Sequence, residues 1–281
     1  MHLTLHVMNK LLKIEWLKVK NYTTFKLLSI FFCVGVVLIN YAVYAINKNI
    51  VANSTGGKIL ASFNPYNFSN TWQSTSYATG FLLVLPALLL IILITNEYTF
   101  KTNRQNIIDG WSRNEFIMVK IIIAIIIAVI STLLVVLTAT GFGLLSGSDF
   151  SFNQFSHVGF FFLKALTYNM FAVLIAVLIK KTGFAIGLYF IYLGTENFLS
   201  QMLDIASIKL KNYNGTDLGS MGDYLPMNAA DGLLTFPDNP LKSFTRNILP
   251  TDYFWVVIAL AIAYFILFVL WSRKKYLNAD L

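Results

Sequence analysis

Apolar residues in this chain come in long unbroken runs separated by short polar intervals, a pattern of buried or lipid-facing helices rather than of alternating strands. Six runs stand out, at about 25–46, 75–95, 119–145, 157–179, 183–203 and 253–271. A bilayer-crossing helix needs roughly 20 apolar residues, so each run is read as a span and the fold class as all-α, a polytopic membrane protein. The first run exceeds the roughly 7–15 residues of a signal peptide's apolar core, which disfavours that reading. Pro86 inside LLVLPALLLIILI predicts a kink in the second. The fourth stops at Lys180-Lys181 and the fifth follows at once, predicting a tight helical hairpin.

The polar intervals carry patterns of their own. Within 1–24, Met8, Leu12, Trp16 and Val19 share one helical side and Lys10, Lys13 and Lys20 the other, which predicts a helix lying in the interface. A basic tail serving only as a topology signal is the alternative. The segment 96–118 reads as a short helix, a turn at Asp109-Gly110 and a re-entry, with Ile107, Ile108 and Trp111 forming an apolar face. Ser112 and Glu115 have capping-box spacing before the third span. A docking knob and an ordinary surface loop are both open readings of this segment. The longest interval, 204–251, is rich in Gly and Pro and predicts short helices on or in the outer leaflet around 202–208 and 225–234. Between the first two spans, Phe63, Tyr66, Phe68 and Trp72 read as headgroup anchors.

Composition sharpens this picture. The 281 residues are 57% hydrophobic and 12% charged, with a mean hydropathy of +0.66, leaving no room for a separate soluble catalytic domain. The net charge of +8 forms no long basic run, so it is read as membrane topology and not as nucleic-acid binding. Of the 21 Lys and Arg, 14 fall in the N-terminal segment, the interval after the second span, the Lys180-Lys181 turn and the C-terminal end. Positive charge is retained in the cytoplasm, so both termini are expected there, with the chain multi-pass in the inner, cytoplasmic membrane.

Candidate chemistry is sparse. No nucleotide-binding GxxxxGK[ST], HExxH or GxSxG occurs, and the lone Cys33 lies in an apolar run, so no catalytic residue and no metal ligand is assigned. Two charges fall within spans, Lys164 and Glu196. Each costs at least about 2.5–3.5 kcal/mol unless paired or hydrated, and antiparallel neighbours bring them near one level. An ion pair between them is expected, either lining a transport path or fixing helix packing. Gly183, Gly187 and Gly194 place small residues near one face of the fifth span, for close packing inside the bundle or against a second chain.

Together these segments resemble the permease subunits of type-two ABC transporters, the class that includes antibiotic and lantibiotic exporters and immunity transporters. LLKIEWLKVKNYTTFKLL is similar to the family's interfacial elbow, with Glu15, Lys18 and Lys20 as its acid and spaced lysines. NEYTFKTNRQNIIDGWSRNEFIMVKI resembles the family's cytoplasmic segment after the second span, through Glu97, Thr102, Ile107, Ile108, Ser112, Arg113 and Lys120. Lys101 departs from the glycine the family often has before that Thr. The resemblance implies that 96–118 contains a coupling helix docking on a separate ATP-binding subunit through Glu97, Thr102, Arg104, Ile107, Ile108, Trp111 and Arg113. It further implies that ATP and Mg are held by that partner and no cofactor by this chain. Two copies, or this chain and a second permease, would pair in the lipid and export a hydrophobic or amphipathic compound. The 204–251 interval resembles the short outer helices that cap the family's pathway. A secondary transporter and a non-transporting anchor or assembly protein are the competing readings.

Overall fold

A computed structural model describes residues 2–53, 64–238 and 250–278. The expected anchor Phe63 and the stretch 239–249 of the outer interval lie outside them. Among the described residues every regular element is a helix: α1 (His2–Val19), α2 (Thr23–Asn53), α3 (Thr71–Gly80), α4 (Val84–Thr99), α5 (Thr102–Ile108), α6 (Arg113–Leu145), α7 (Ser156–Ile179), α8 (Thr182–Asn214), α9 (Asn228–Asp231) and α10 (Phe254–Leu277), with 3-10 turns at Phe81–Leu83 and Met221–Tyr224.

Among the described residues five helical stretches are long and apolar enough to cross a membrane: α2, α3 with α4, α6, α7 and α10. The run expected as a fifth span, 183–203, lies in α8, which is long enough but diluted by Tyr, Gly, Thr, Glu196 and Asn197. That helix also continues past the expected end to Asn214, absorbing the 202–208 fragment that was expected as a separate outer helix.

α7 is the hub. It packs against α4, α6, α8 and α10, and its side chains are buried without a break from Lys164 to Val177. A helix surrounded by neighbours has no reason to be amphipathic, and this one shows no polar stripe, its Lys164, Thr167 and Asn169 being buried with the apolar side chains. The outer helices show the reverse of a soluble protein. Ile30, Phe31, Val34, Leu38 on α2, Ile130, Leu133, Leu137 on α6 and Trp255, Ile266, Leu270 on α10 are exposed, and Cys33 is exposed among them. A belt this apolar is stable facing lipid tails, and the chain is a multi-pass helical membrane protein.

The second run is a broken helix. α3 ends at Gly80, a 3-10 turn covers Phe81–Leu83 and α4 resumes at Val84, so Pro86 sits in the first turn of the resumed helix. A proline there lacks an N–H that would have no intrahelical partner in any case. The expected kink is therefore taken up just before Pro86.

Candidate functional site

At the end of the bundle where α4 hands over to α5, four charged side chains close into one ring. Lys120 of α6 sets its Nζ 2.5 Å from Glu15 of α1 and 2.8 Å from Glu97 of α4. Lys18, one turn after Glu15, completes the circuit at 2.8 Å from Glu15 and 3.1 Å from Glu97. Local structure places each of them. The Ser112–Glu115 capping box is formed in both directions, which fixes the first turn of α6 and the rotation that aims Lys120 inward. Glu97 occupies the last turn of α4, just before the chain reverses.

The ring is electrically neutral and three of its members are buried, with side-chain exposures of 4% for Lys120, 6% for Glu15 and 9% for Glu97, while Lys18 at 29% closes its outer side. Burial raises the Glu15 carboxyl's pKa, but Lys120 and Lys18 outweigh it and hold the group below its ordinary value. An aromatic wall backs the ring. Lys18 lies 5.5 Å over Trp111, Lys120 4.9 Å over Phe116, and Phe116 stacks on Tyr276 at 4.9 Å. Arg113 donates from Nη1 to the Leu277 carbonyl at 3.1 Å, and Arg273 Nε to Asn114 at 3.1 Å, tying the end of α10 to the same corner.

The residues expected to form the coupling surface divide into two sets. Glu97, Trp111 and Arg113 are turned inward to the ring, its wall and α10. Thr102 opens α5, its hydroxyl donating to the Glu97 carbonyl at 3.4 Å. Arg104 and Ile108 face outward, Ile108 at 83% exposure, while Ile107 is half-buried. Phe100, 73% exposed and one turn before Arg104, joins them and was not picked out from sequence. The compact face of Ile107, Ile108 and Trp111 is thus not formed: Ile108 is exposed on α5, Ile107 is half-buried and Trp111 turns to the ring. The reason is that α5 is a separate short helix, set off from Trp111 by the turn at Asp109-Gly110. Lys101 links α4 to α5 with φ +57°, in the left-handed region that glycine occupies freely.

At the opposite end, the expected Lys164–Glu196 pair is not made. Lys164 lies 3.0 Å from Asp231, whose Oδ1 also accepts from the Tyr168 hydroxyl at 2.8 Å. Glu196 Oε1 accepts from the backbone N–H groups of Met227 (2.5 Å) and Asn228 (2.8 Å) and from the Asn228 amide (3.2 Å). Both charges therefore meet the short helix α9, Lys164 through Asp231 and Glu196 through Oε1 alone, its Oε2 being buried without a hydrogen-bond partner among the described residues. The physical reason is that the 227–231 segment enters the bundle, with Met227, Ala229, Ala230, Leu233 and Leu234 buried, and brings donors and a carboxylate that outbid a helix-to-helix pair. Asp231 was missed because it sits in a loop by composition; the available signal was an acid inside the apolar stretch MNAADGLL. Gly80 makes the space, since a Cβ there would lie 3.1 Å from the Lys164 ammonium.

Gly183, Gly187 and Gly194 face open space, with nothing within 4 Å of a Cβ built on any of them. The small-residue face is therefore not packed by the described residues of this chain.

Beside the α4–α5 turn lies a cleft of ≈ 610 Å³ between that turn and the α7–α8 hairpin. Tyr98, Lys101, Asn103, Arg104, Lys180 and Lys181 line it. No known family model matches the sequence, and no curated protein matches it.

Proposed function

We propose that this chain is the membrane-spanning subunit of an ATP-driven exporter of the type-two ABC class. In this reading six helices cross the membrane, α8 being the crossing that its own composition marks least, and both termini are cytoplasmic. The observation that carries it is the ring. Glu15, Lys18, Glu97 and Lys120, four of the charged residues on which the resemblance rests, converge within 2.5–3.1 Å although they come from three helices. They lock the interfacial helix α1 to the end of α4 that leads into α5, so that a push on the exposed Phe100, Arg104 and Ile108 is transmitted to α4 and α6 rather than absorbed by a loose loop.

ATP and Mg belong to a separate partner subunit, and this chain supplies no hydrolytic chemistry. The cargo is a hydrophobic or amphipathic compound, in keeping with spans that are apolar almost throughout. The open glycine face of α8 supports pairing with a second copy or a related permease.

Co-purification from mild detergent tests this reading. An ATP-binding subunit should accompany the wild-type chain and be lost from Ile108→Asp and Arg104→Glu, both of which alter exposed side chains and leave the fold intact. An intact, monodisperse chain with no ATPase companion, in a cell that expresses one, would sink it. Secondary transport is the second reading, favoured by the broken α3–α4 helix beside the buried Lys164 and Asp231. Uptake driven by an ion gradient in vesicles free of ATP would select it.

A further inference from the structure

The cleft between the α4–α5 turn and the α7–α8 hairpin gathers basic side chains of which the transport reading uses only Arg104. Its lining includes four cationic side chains, Lys101, Arg104, Lys180 and Lys181. They arrive from two segments distant in sequence, so their convergence is a product of the fold. Two of them sit on unusual backbone. Lys101 has φ +57° and Lys180 φ +58°, and these are two of only three non-glycine residues with positive φ among the described residues. Glycine or asparagine occupies such a position with less strain, so a lysine there keeps its cation at the expense of local stability. Lys180 is placed 5.5 Å over the Tyr98 ring, which forms one wall, and the buried Asn103 adds an amide.

Position selects the ligand. The cleft lies where α4 and α7, two helices long and apolar enough to cross a membrane, both end, with Ile179 in its lining. Lipid headgroups stand at that level, and clustered Lys and Arg there attract anionic ones. Guanidinium and ammonium donors converging on a concave site suit a tetrahedral oxyanion. We propose that this cleft binds a phosphate group, held by Lys101, Arg104, Lys180 and Lys181, with the headgroup phosphate of an anionic phospholipid as its source.

The test uses the full chain in nanodiscs of phosphatidylcholine alone or with phosphatidylglycerol, read by native mass spectrometry for retained lipid and by thermal midpoint. The wild-type chain should retain phosphatidylglycerol preferentially and melt higher in its presence. Lys101→Gly and Lys180→Gly remove a cation while relieving the backbone, so each should melt no lower than wild type in phosphatidylcholine yet lose preference by about fivefold. Arg104→Gln and Lys181→Gln should lose a similar factor, whereas the exposed pair Lys10→Gln, Lys13→Gln should not. If inorganic pyrophosphate raises the midpoint in phosphatidylcholine and displaces the lipid through the same four residues, the site is a phosphate site supplied from solution. If pyrophosphate has no effect while the lipid preference persists, the source is the headgroup. A preference unchanged in the cleft variants, one lost equally on changing Lys10 and Lys13, or loss of a co-purifying protein with lipid retention intact would overturn the proposal.

Discussion

Lys120 holds its ammonium between two carboxylates, Glu15 from the first helix and Glu97 from the end of the fourth, and is itself almost fully buried. This single cation joins the start of the chain to the segment that leads into α5. Removing one member of a buried ionic group strands the others without water to compensate them.

Replacing Lys120 with Met should therefore destabilise the protein by about 3–5 kcal/mol, because two carboxylates are left facing each other with only the half-exposed Lys18 between them. Adding Glu97→Gln to Lys120→Met should recover part of that loss. Thermal or denaturant unfolding in detergent checks both, and a double change no better than the single one would show that the ring is not a coupled unit.

Lys164 should couple to Asp231 and not to Glu196. Exchanging Lys164 and Asp231 should restore part of the stability that either single charge reversal removes, whereas exchanging Lys164 and Glu196 should restore none. Glu196→Leu should lose about 1–3 kcal/mol for each donor of the 227–228 segment left unpaired. Double-mutant cycles on unfolding midpoints measure these terms.

Stability should depend on pH through Asp223, which lies in the outer 3-10 turn. Burial, and then the neighbouring Asp204, Asp252 and Asp231, push its carboxyl up to about 6. Between about pH 4, where an unfolded Asp titrates, and pH 6, the folded chain retains a proton that the unfolded chain has lost. Its contribution is thus fully present below about pH 4 and is lost as pH rises through 6. The midpoint of Asp223→Asn should fall less than that of wild type over this window.

Glycine substitutions should separate the inside of the bundle from its outer face. A Cβ on Gly143 would lie 2.6 Å from the Phe68 ring, so Gly143→Ala should cost about 1–3 kcal/mol of stability. Gly187→Ala meets nothing within 4 Å and should leave the unfolding midpoint of the single chain unchanged. A change in oligomeric state on Gly187→Ala, measured by light scattering in detergent, would place a second chain on that face.

Apolarity, the capping box and a kink in the run that holds Pro86 are sums over near neighbours in the chain, and the sequence by itself determined them. Five of the six expected runs lie on helices long and apolar enough to cross a membrane, and Ser112 and Glu115 form the cap their spacing predicts. The partner of each buried charge was decided only by the tertiary structure. The sequence brings Lys164 and Glu196 near one level, but whether they meet depends on what else reaches them, and α9 does so by folding a loop segment inward. The same holds for the ring and the basic cleft. Each joins residues from separate segments, and the packing of α4, α6 and α7 and the left-handed turns at Lys101 and Lys180 set their register. That register is a property of the whole bundle, since a rotation of one helix by a single residue, about 100°, would turn Lys120 away from both carboxylates.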